Sequence, residues 1–122
     1  MARAYNVLAP TCPSSRLLHR IGARWTIFIL AVLSDGPARF SVLRESIPGI
    51  TSKVLTESLR SLERDGLIER AEIDTVPDGA EYAMAPLGWS PWGPLNGGRE
   101  WAETHVPDIE AAQARADVGD VA

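Results

Sequence analysis

Cysteine and lysine are almost missing from this chain: Cys12 and Lys53 each occur once in 122 residues. A lone cysteine cannot close an intrachain disulfide, which points to a reducing compartment. No uninterrupted apolar run reaches about 18 residues, so no membrane span is expected. The opening Met1-Ala-Arg-Ala-Tyr lacks the charged start, apolar middle and small-residue cleavage site of a signal peptide, and a cytoplasmic protein is expected. Histidine is scarce too. His19 and His105 stand far apart, without metal-ligand spacing, so neither a metal nor a cofactor is implied. No glycine-rich phosphate loop follows a strand, and no Gly-x-Ser-x-Gly turn is present.

What is present suits one compact domain, because 45% of the residues are apolar. The net charge of −4 argues at first against a nucleic-acid partner. Its distribution argues the other way. Residues 1–65 carry nine Lys or Arg against five Asp or Glu, whereas residues 66–122 carry three against eleven. Duplex DNA is held by clustered cations, so the local surplus matters more than the total.

Residues 1–11 have no periodicity and read as a flexible or partner-clasping arm. Ser14 to Ile21 reads as a short helix with Leu17, Leu18 and Ile21 on one face. Trp25 to Leu33 is apolar throughout, and its β-branched residues suit a strand as well as a buried helix. It is assigned here as a helix, the central member of an apolar neighbourhood. Asp35-Gly36-Pro37 ends it. Arg39 to Ser46 is a second short helix, stopped by Ile47-Pro48-Gly49-Ile50. Thr51 caps the next helix, which runs to Asp65 with Val54, Leu55, Leu59 and Leu62 on its apolar face. Ser52, Lys53, Thr56, Glu57 and Arg60 fall on the other side. Gly66 suits a left-handed C-terminal position. Two strands follow, Leu67 to Ile73 and around Glu81 to Met84, joined by a turn at Pro77-Asp78-Gly79.

Helix, tight turn, second helix and β-hairpin make a mainly α fold with a small β-hairpin, a winged helix-turn-helix. It spans 12–86, with 87–122 as a C-terminal helical segment that frays. A major groove admits one such helix. The DNA-facing residues are then Arg39, Ser41, Thr51, Ser52, Lys53, Thr56, Glu57 and Arg60, although such a face is equally that of a solvated helix. Arg39 suits a phosphate contact or a surface pair with Asp35. Arg24 suits an internal ion pair.

A closer resemblance rests on motifs in fixed order. They are Cys12-Pro13, Ile21-Gly22-x-Arg24-Trp25-Thr26, Gly36-Pro37-x-Arg39-Phe40, Ile47-Pro48-Gly49-Ile50 and Lys53-Val54-Leu55-Thr56. Leu59-Arg60-x-Leu62-Glu63-x-Asp65-Gly66-Leu67-Ile68, Glu81-Tyr82 and Leu87-Gly88 complete the set. Over about residues 12–105 the chain resembles HxlR-type winged helix-turn-helix transcriptional regulators. The resemblance implies a homodimer on palindromic double-stranded DNA. It also implies, for several such proteins, sensing of electrophiles, oxidants or aldehydes through the N-terminal cysteine, and 87–122 as the dimerisation segment.

Cys12 has two readings. Pro13 suits the first position of a helix and places Cys12 at its cap, where the positive helix end, helped by Arg16, lowers the thiol pKa. The alternative is a small apolar side chain packed under the helix or at a dimer interface.

Two features depart from the family pattern. Glu72, Asp74, Asp78 and Glu81 surround the lone Arg70 on the wing, so little wing contribution to DNA affinity is expected. Pro91, Gly93, Gly97 and Gly98 disfavour a helix, so a broken or late-starting C-terminal helix is expected. Trp25, Trp89, Trp92 and Trp101 could then line a cleft for a small aromatic effector, or serve as core. Three functions remain in contention. The first is a DNA-binding regulator gated by a thiol-reactive signal or small ligand. The second is a ligand-binding protein on that scaffold. The third is an enzyme using Glu81, Tyr82, His19 or His105 as acid or base; no base, acid and oxyanion donor assemble in the sequence, so the chain is expected not to be an enzyme.

Overall fold

The computed structural model describes residues 4–73 and 79–121. In chain order the elements are α1 (Pro13–Ile21), α2 (Arg24–Ser34), β1 (Ala38–Arg39), α3 (Phe40–Ser46), α4 (Ser52–Arg64), β2 (Ile68–Glu72), β3 (Ala80–Met84) and α5 (Pro86–Val121). Among the described residues no single helix is long and apolar enough to cross a membrane.

The ambiguous segment is a helix, and its burial pattern says why. Thr26, Ile29, Leu30 and Leu33 are buried, spaced i, i+3, i+4 and i+7, while Phe28 is exposed. A strand would bury every second residue. Here α2 is surrounded by apolar partners along one wide stripe. Leu43 from α3, Leu55, Leu59 and Leu62 from α4, and Ile68 and Met84 from the strands complete the core with it. Burying each such side chain is worth roughly 1.5–3 kcal/mol, which outweighs the few tenths lost to β-branching within a helix.

The turn between α3 and α4 is pinned at both ends by buried isoleucines, Ile47 and Ile50. Between them Gly49 takes φ +84°, which a side chain rarely tolerates. At the far end of α4, Gly66 has φ +78°. Its amide donates to Glu63 O and that of Leu67 to Leu62 O, both at 3.0 Å. This closes the helix as a Schellman motif and turns the chain directly into β2.

The expected hairpin is part of a three-stranded antiparallel sheet in the order β1-β3-β2. The third member, β1, pairs Ala38 with Tyr82 and Arg39 with Glu81. A two-residue strand has no periodicity to read, so pairing with β3 alone creates it. Beyond the last ladder pair, the Ile73 amide donates to Gly79 O at 2.6 Å. The rest of the expected turn, including Asp74, Pro77 and Asp78, lies outside the described residues.

The C-terminal segment corrects the expectation of a broken or late helix. α5 starts at Pro86 and runs 36 residues through Pro91, Pro94 and Pro107. An interior proline costs a helix about 3 kcal/mol. Trp92 and Leu95, each directly after one of the first two prolines, pack on the core and offset part of that cost. The first turn is fitted equally closely. A Cβ on Gly88 would run into the Leu67 carbonyl oxygen and lie 2.8 Å from Met84 Sδ, so only glycine lets α5 cross β2 here.

Candidate nucleic-acid interface

α4 presents its polar face outward. Thr51, Ser52, Lys53, Glu57 and Arg60 are exposed, and Thr56 is half-buried. Arg39 and Ser41, at the start of α3, are exposed as well. Thr51 is engaged in holding the helix: its Oγ1 accepts from the Val54 amide at 3.1 Å. Satisfying one orphan amide in this way is worth about 1 kcal/mol and fixes where the face begins. Among the described residues no carboxylate forms an ion pair with Arg39, Lys53 or Arg60. The surface pair Arg39–Asp35 is therefore not formed. Three cations are left with their charge available.

One contributor escapes the sequence reading. Arg44, in the last turn of α3, donates from Nη1 to Ser52 Oγ at 3.1 Å. It brings a fourth cation beside Lys53 and ties the supporting helix to the first turn of α4. Its spacing of eight residues from Ser52 crosses the Pro-Gly turn, so no helical period exposes the pair. Arg24 is also not where an ion pair would put it: the guanidinium lies over the Trp25 ring, 4.3 Å from its centroid.

Arg70 faces Tyr82 across the ladder. A hydrogen bond with Tyr82, reinforced by Glu72, raises its pKa above the usual arginine value and commits the charge locally. Glu81 stands opposite Arg39. Asp74 and Asp78 lie outside the described residues.

Cys12 is the N-cap of α1 and Pro13 opens the helix. Its half-buried Sγ lies 3.1 Å from Ser14 Oγ and accepts from the Asn6 amide at 3.4 Å. These bonds hold the thiol below its ordinary pKa, first the Ser14 hydroxyl, then the backbone amides of Ser14 and Asn6. The lowering was expected, but its cause is hydrogen bonding rather than Arg16.

The four tryptophans do not pair with one another among the described residues. Trp25 meets Phe28 edge to face, with centroids 6.0 Å apart. Trp101 stacks on His105 at 4.6 Å. Trp25 and Trp92 pack against the core, whereas Trp89 and Trp101 are about half exposed. Nothing in these contacts assembles an aromatic cleft. Glu81, Tyr82, His19 and His105 do not converge either: Tyr82 engages Arg70, and His105 Nδ1 bonds Trp101 O at 2.8 Å. Among the described residues no three His, Cys, Asp or Glu side chains form a metal-binding group.

Comparison with known proteins places this geometry among relatives. A family model described as HxlR-like helix-turn-helix matches residues 20–110. The uncharacterized HTH-type transcriptional regulator YtfH of Escherichia coli (strain K12) is 36% identical over 108 residues, covering 88% of this chain and 86% of that one. The solved structure of the transcriptional regulator ytfH from Salmonella typhimurium superimposes with a TM-score of 0.85 at 35% identity, covering 90% of this chain and 98% of the other. The redox regulator HypR in its reduced form gives a TM-score of 0.74 at 31% identity, over 81% and 98% of the two chains.

Proposed function

Because the chain belongs to the HxlR-like helix-turn-helix family of transcriptional regulators, we propose that it acts as a cytoplasmic homodimer on a palindromic operator, released or engaged by a thiol-reactive signal or small ligand. Its relatives are regulators rather than enzymes, and no catalytic role is assigned to any residue. The observation that carries the proposal is the free positive charge around the first turn of α4. Lys53 and Arg60 on α4, with Arg39 at the start of α3, flank an exposed polar face that a threonine cap and the Arg44–Ser52 bond hold in place. Ser41, Thr51, Ser52, Thr56 and Glu57 complete the contact surface, with base edges read from α4 and phosphates held from α3.

Two copies are favoured by the far half of α5. At about 1.5 Å per residue the 36-residue helix is roughly 54 Å long. Trp101, Val106 and Ile109 are exposed along it, an apolar surface that one protomer leaves uncovered. The signal is read by Cys12. Its depressed pKa makes thiolate available to a soft carbon electrophile, and two copies in a dimer supply the sulfurs of an intersubunit disulfide when an oxidant such as diamide takes up the two electrons and two protons released. The likeness to HypR, a redox regulator, supports this part.

The test is binding of the full chain to its own upstream DNA across a salt series, before and after diamide. A specific complex is expected whose log affinity falls steeply with log salt, and Lys53→Gln flattens that slope by about one per subunit. Diamide is expected to change the affinity of the parent and not of Cys12→Ser. Absence of a specific complex at low salt overturns the DNA reading. An unchanged diamide response in Cys12→Ser overturns the sensing role alone.

A further inference from the structure

Beside α1, at the end of α4 remote from Ser52 and Lys53, lies a half-enclosed cavity of about 500 Å3 lined by Pro13, Arg16, Arg20, Ser61, Arg64 and Asp65. That volume is ordinary for a small-molecule site. Its chemistry is not that of an ordinary surface groove. Three guanidinium groups face one carboxylate. Asp65 is fully engaged by Arg20, with Nε to Oδ2 at 2.9 Å and Nη2 to Oδ1 at 3.2 Å. Among the described residues Arg16 and Arg64 form no ion pair. Two cations therefore converge on the same cavity without an anion between them.

An adjoining cavity of about 350 Å3 shares Pro13, Arg20 and Asp65 and adds Tyr5, Ser14 and Leu17. The charged wall thus runs into an apolar one. We propose that the cleft between α1 and the C-terminal end of α4 binds a small organic carboxylate, its charge held by Arg16 and Arg64 and its apolar body laid against Tyr5, Pro13 and Leu17. Guanidinium groups suit a carboxylate because their planar donors match its two oxygens.

DNA phosphate is the competing source of anionic charge. The cleft lies about 18–20 Å along α4 from Ser52 and Lys53 but only one turn from Arg60, so the operator affinity of a variant lacking both Arg16 and Arg64 separates the two sources. A ligand here acts on the fold through Arg20. That residue lies in the last turn of α1 and grips Asp65, the C-cap of α4, so a bound carboxylate competes with Asp65 for its fork. This consequence for DNA affinity rests on the function proposed above; the binding itself does not.

The probe is benzoate, titrated calorimetrically into the full chain, with benzyl alcohol as its neutral counterpart and inorganic phosphate as a compact anion. Benzoate is expected to bind saturably, at least about tenfold tighter than either control, since a lost charge-assisted pair is worth about 1.4 kcal/mol or more. Arg16→Gln/Arg64→Gln, checked for folding by circular dichroism, is expected to lose at least that factor, and Lys53→Gln to lose nothing. Without benzoate the double variant is expected to keep the parent's operator affinity and salt slope. The proposal is overturned if benzyl alcohol or phosphate binds as tightly as benzoate. It also fails if the double variant binds benzoate normally, or if that variant loses DNA affinity while benzoate binds neither protein. Failure of DNA binding in the parent sinks the regulatory reading and leaves the benzoate titration to be judged on its own.

Discussion

At the scale of single residues, Cys12 shows how a local hydrogen-bond pattern sets reactivity. The bonds from Ser14 and Asn6 stabilise the thiolate more than the thiol, so the proton leaves at a lower pH than from an ordinary cysteine. The rate of alkylation by iodoacetamide is therefore expected to rise with a midpoint below that of free cysteine. Ser14→Ala removes the largest cause and moves the midpoint up. An unchanged midpoint in Ser14→Ala would mean that the helix end alone sets the pKa. Arg39 is a second case. Glu81 stands opposite it on the neighbouring strand and cancels part of the field that phosphates meet. Glu81→Gln is expected to strengthen DNA binding about two- to fivefold, the equivalent of roughly 0.5–1 kcal/mol for an exposed pair. A weaker complex would show instead that Glu81 positions Arg39 for its contact.

At the scale of elements, α5 separates glycines that matter from those that do not. Gly88 crosses the Leu67 carbonyl so closely that no side chain fits, whereas a Cβ at Gly97 or Gly98 meets nothing within 4 Å. Neither of the latter has a positive φ. Gly97→Ala and Gly98→Ala are expected to stabilise the chain by up to about 1 kcal/mol each, because alanine loses less backbone entropy on entering a helix. Gly88→Ala is expected to lower the thermal midpoint, since β2 or α5 must shift to admit the methyl group. Thermal unfolding followed by circular dichroism distinguishes the three. Composition alone predicts a break here, because intrinsic propensity contains no term for Trp92 and Leu95 resting on the core. The same limit hid β1, whose two residues are a strand only because β3 lies beside them.

At the scale of the whole molecule, the two halves of the sequence meet in one sheet, where Arg39 of β1 stands opposite Glu81 of β3. Among the described residues Arg39, Lys53 and Arg60 of the helix-turn-helix form no ion pair, while Arg70 on the wing is engaged by Tyr82 and Glu72. Affinity is therefore expected to come from the helix-turn-helix, with Arg44 contributing beside Lys53. Arg20 and Asp65 join the helix begun by Cys12 to the end of α4, so the thiol and the reading face belong to elements with a direct ionic link.

The order of elements apart from β1, the cap at Thr51, the turn at Pro48-Gly49, the stop at Gly66 and the polar face of α4 were all legible in the sequence. Each depends on residues within a turn or two of one another, and local backbone chemistry carries that information. The nature of α2 was underdetermined locally, and burial at i, i+3, i+4 and i+7 decided it. Tertiary structure alone decided the continuity of α5, the third strand, the Arg44–Ser52 bond, and the clefts where α1 meets α4. All four bring together residues that the chain keeps apart, and their energies arise only once the core has placed them. The polar face of α4 was visible from the start; the Arg44–Ser52 bond at its first turn and the Arg20–Asp65 pair at its far end were not.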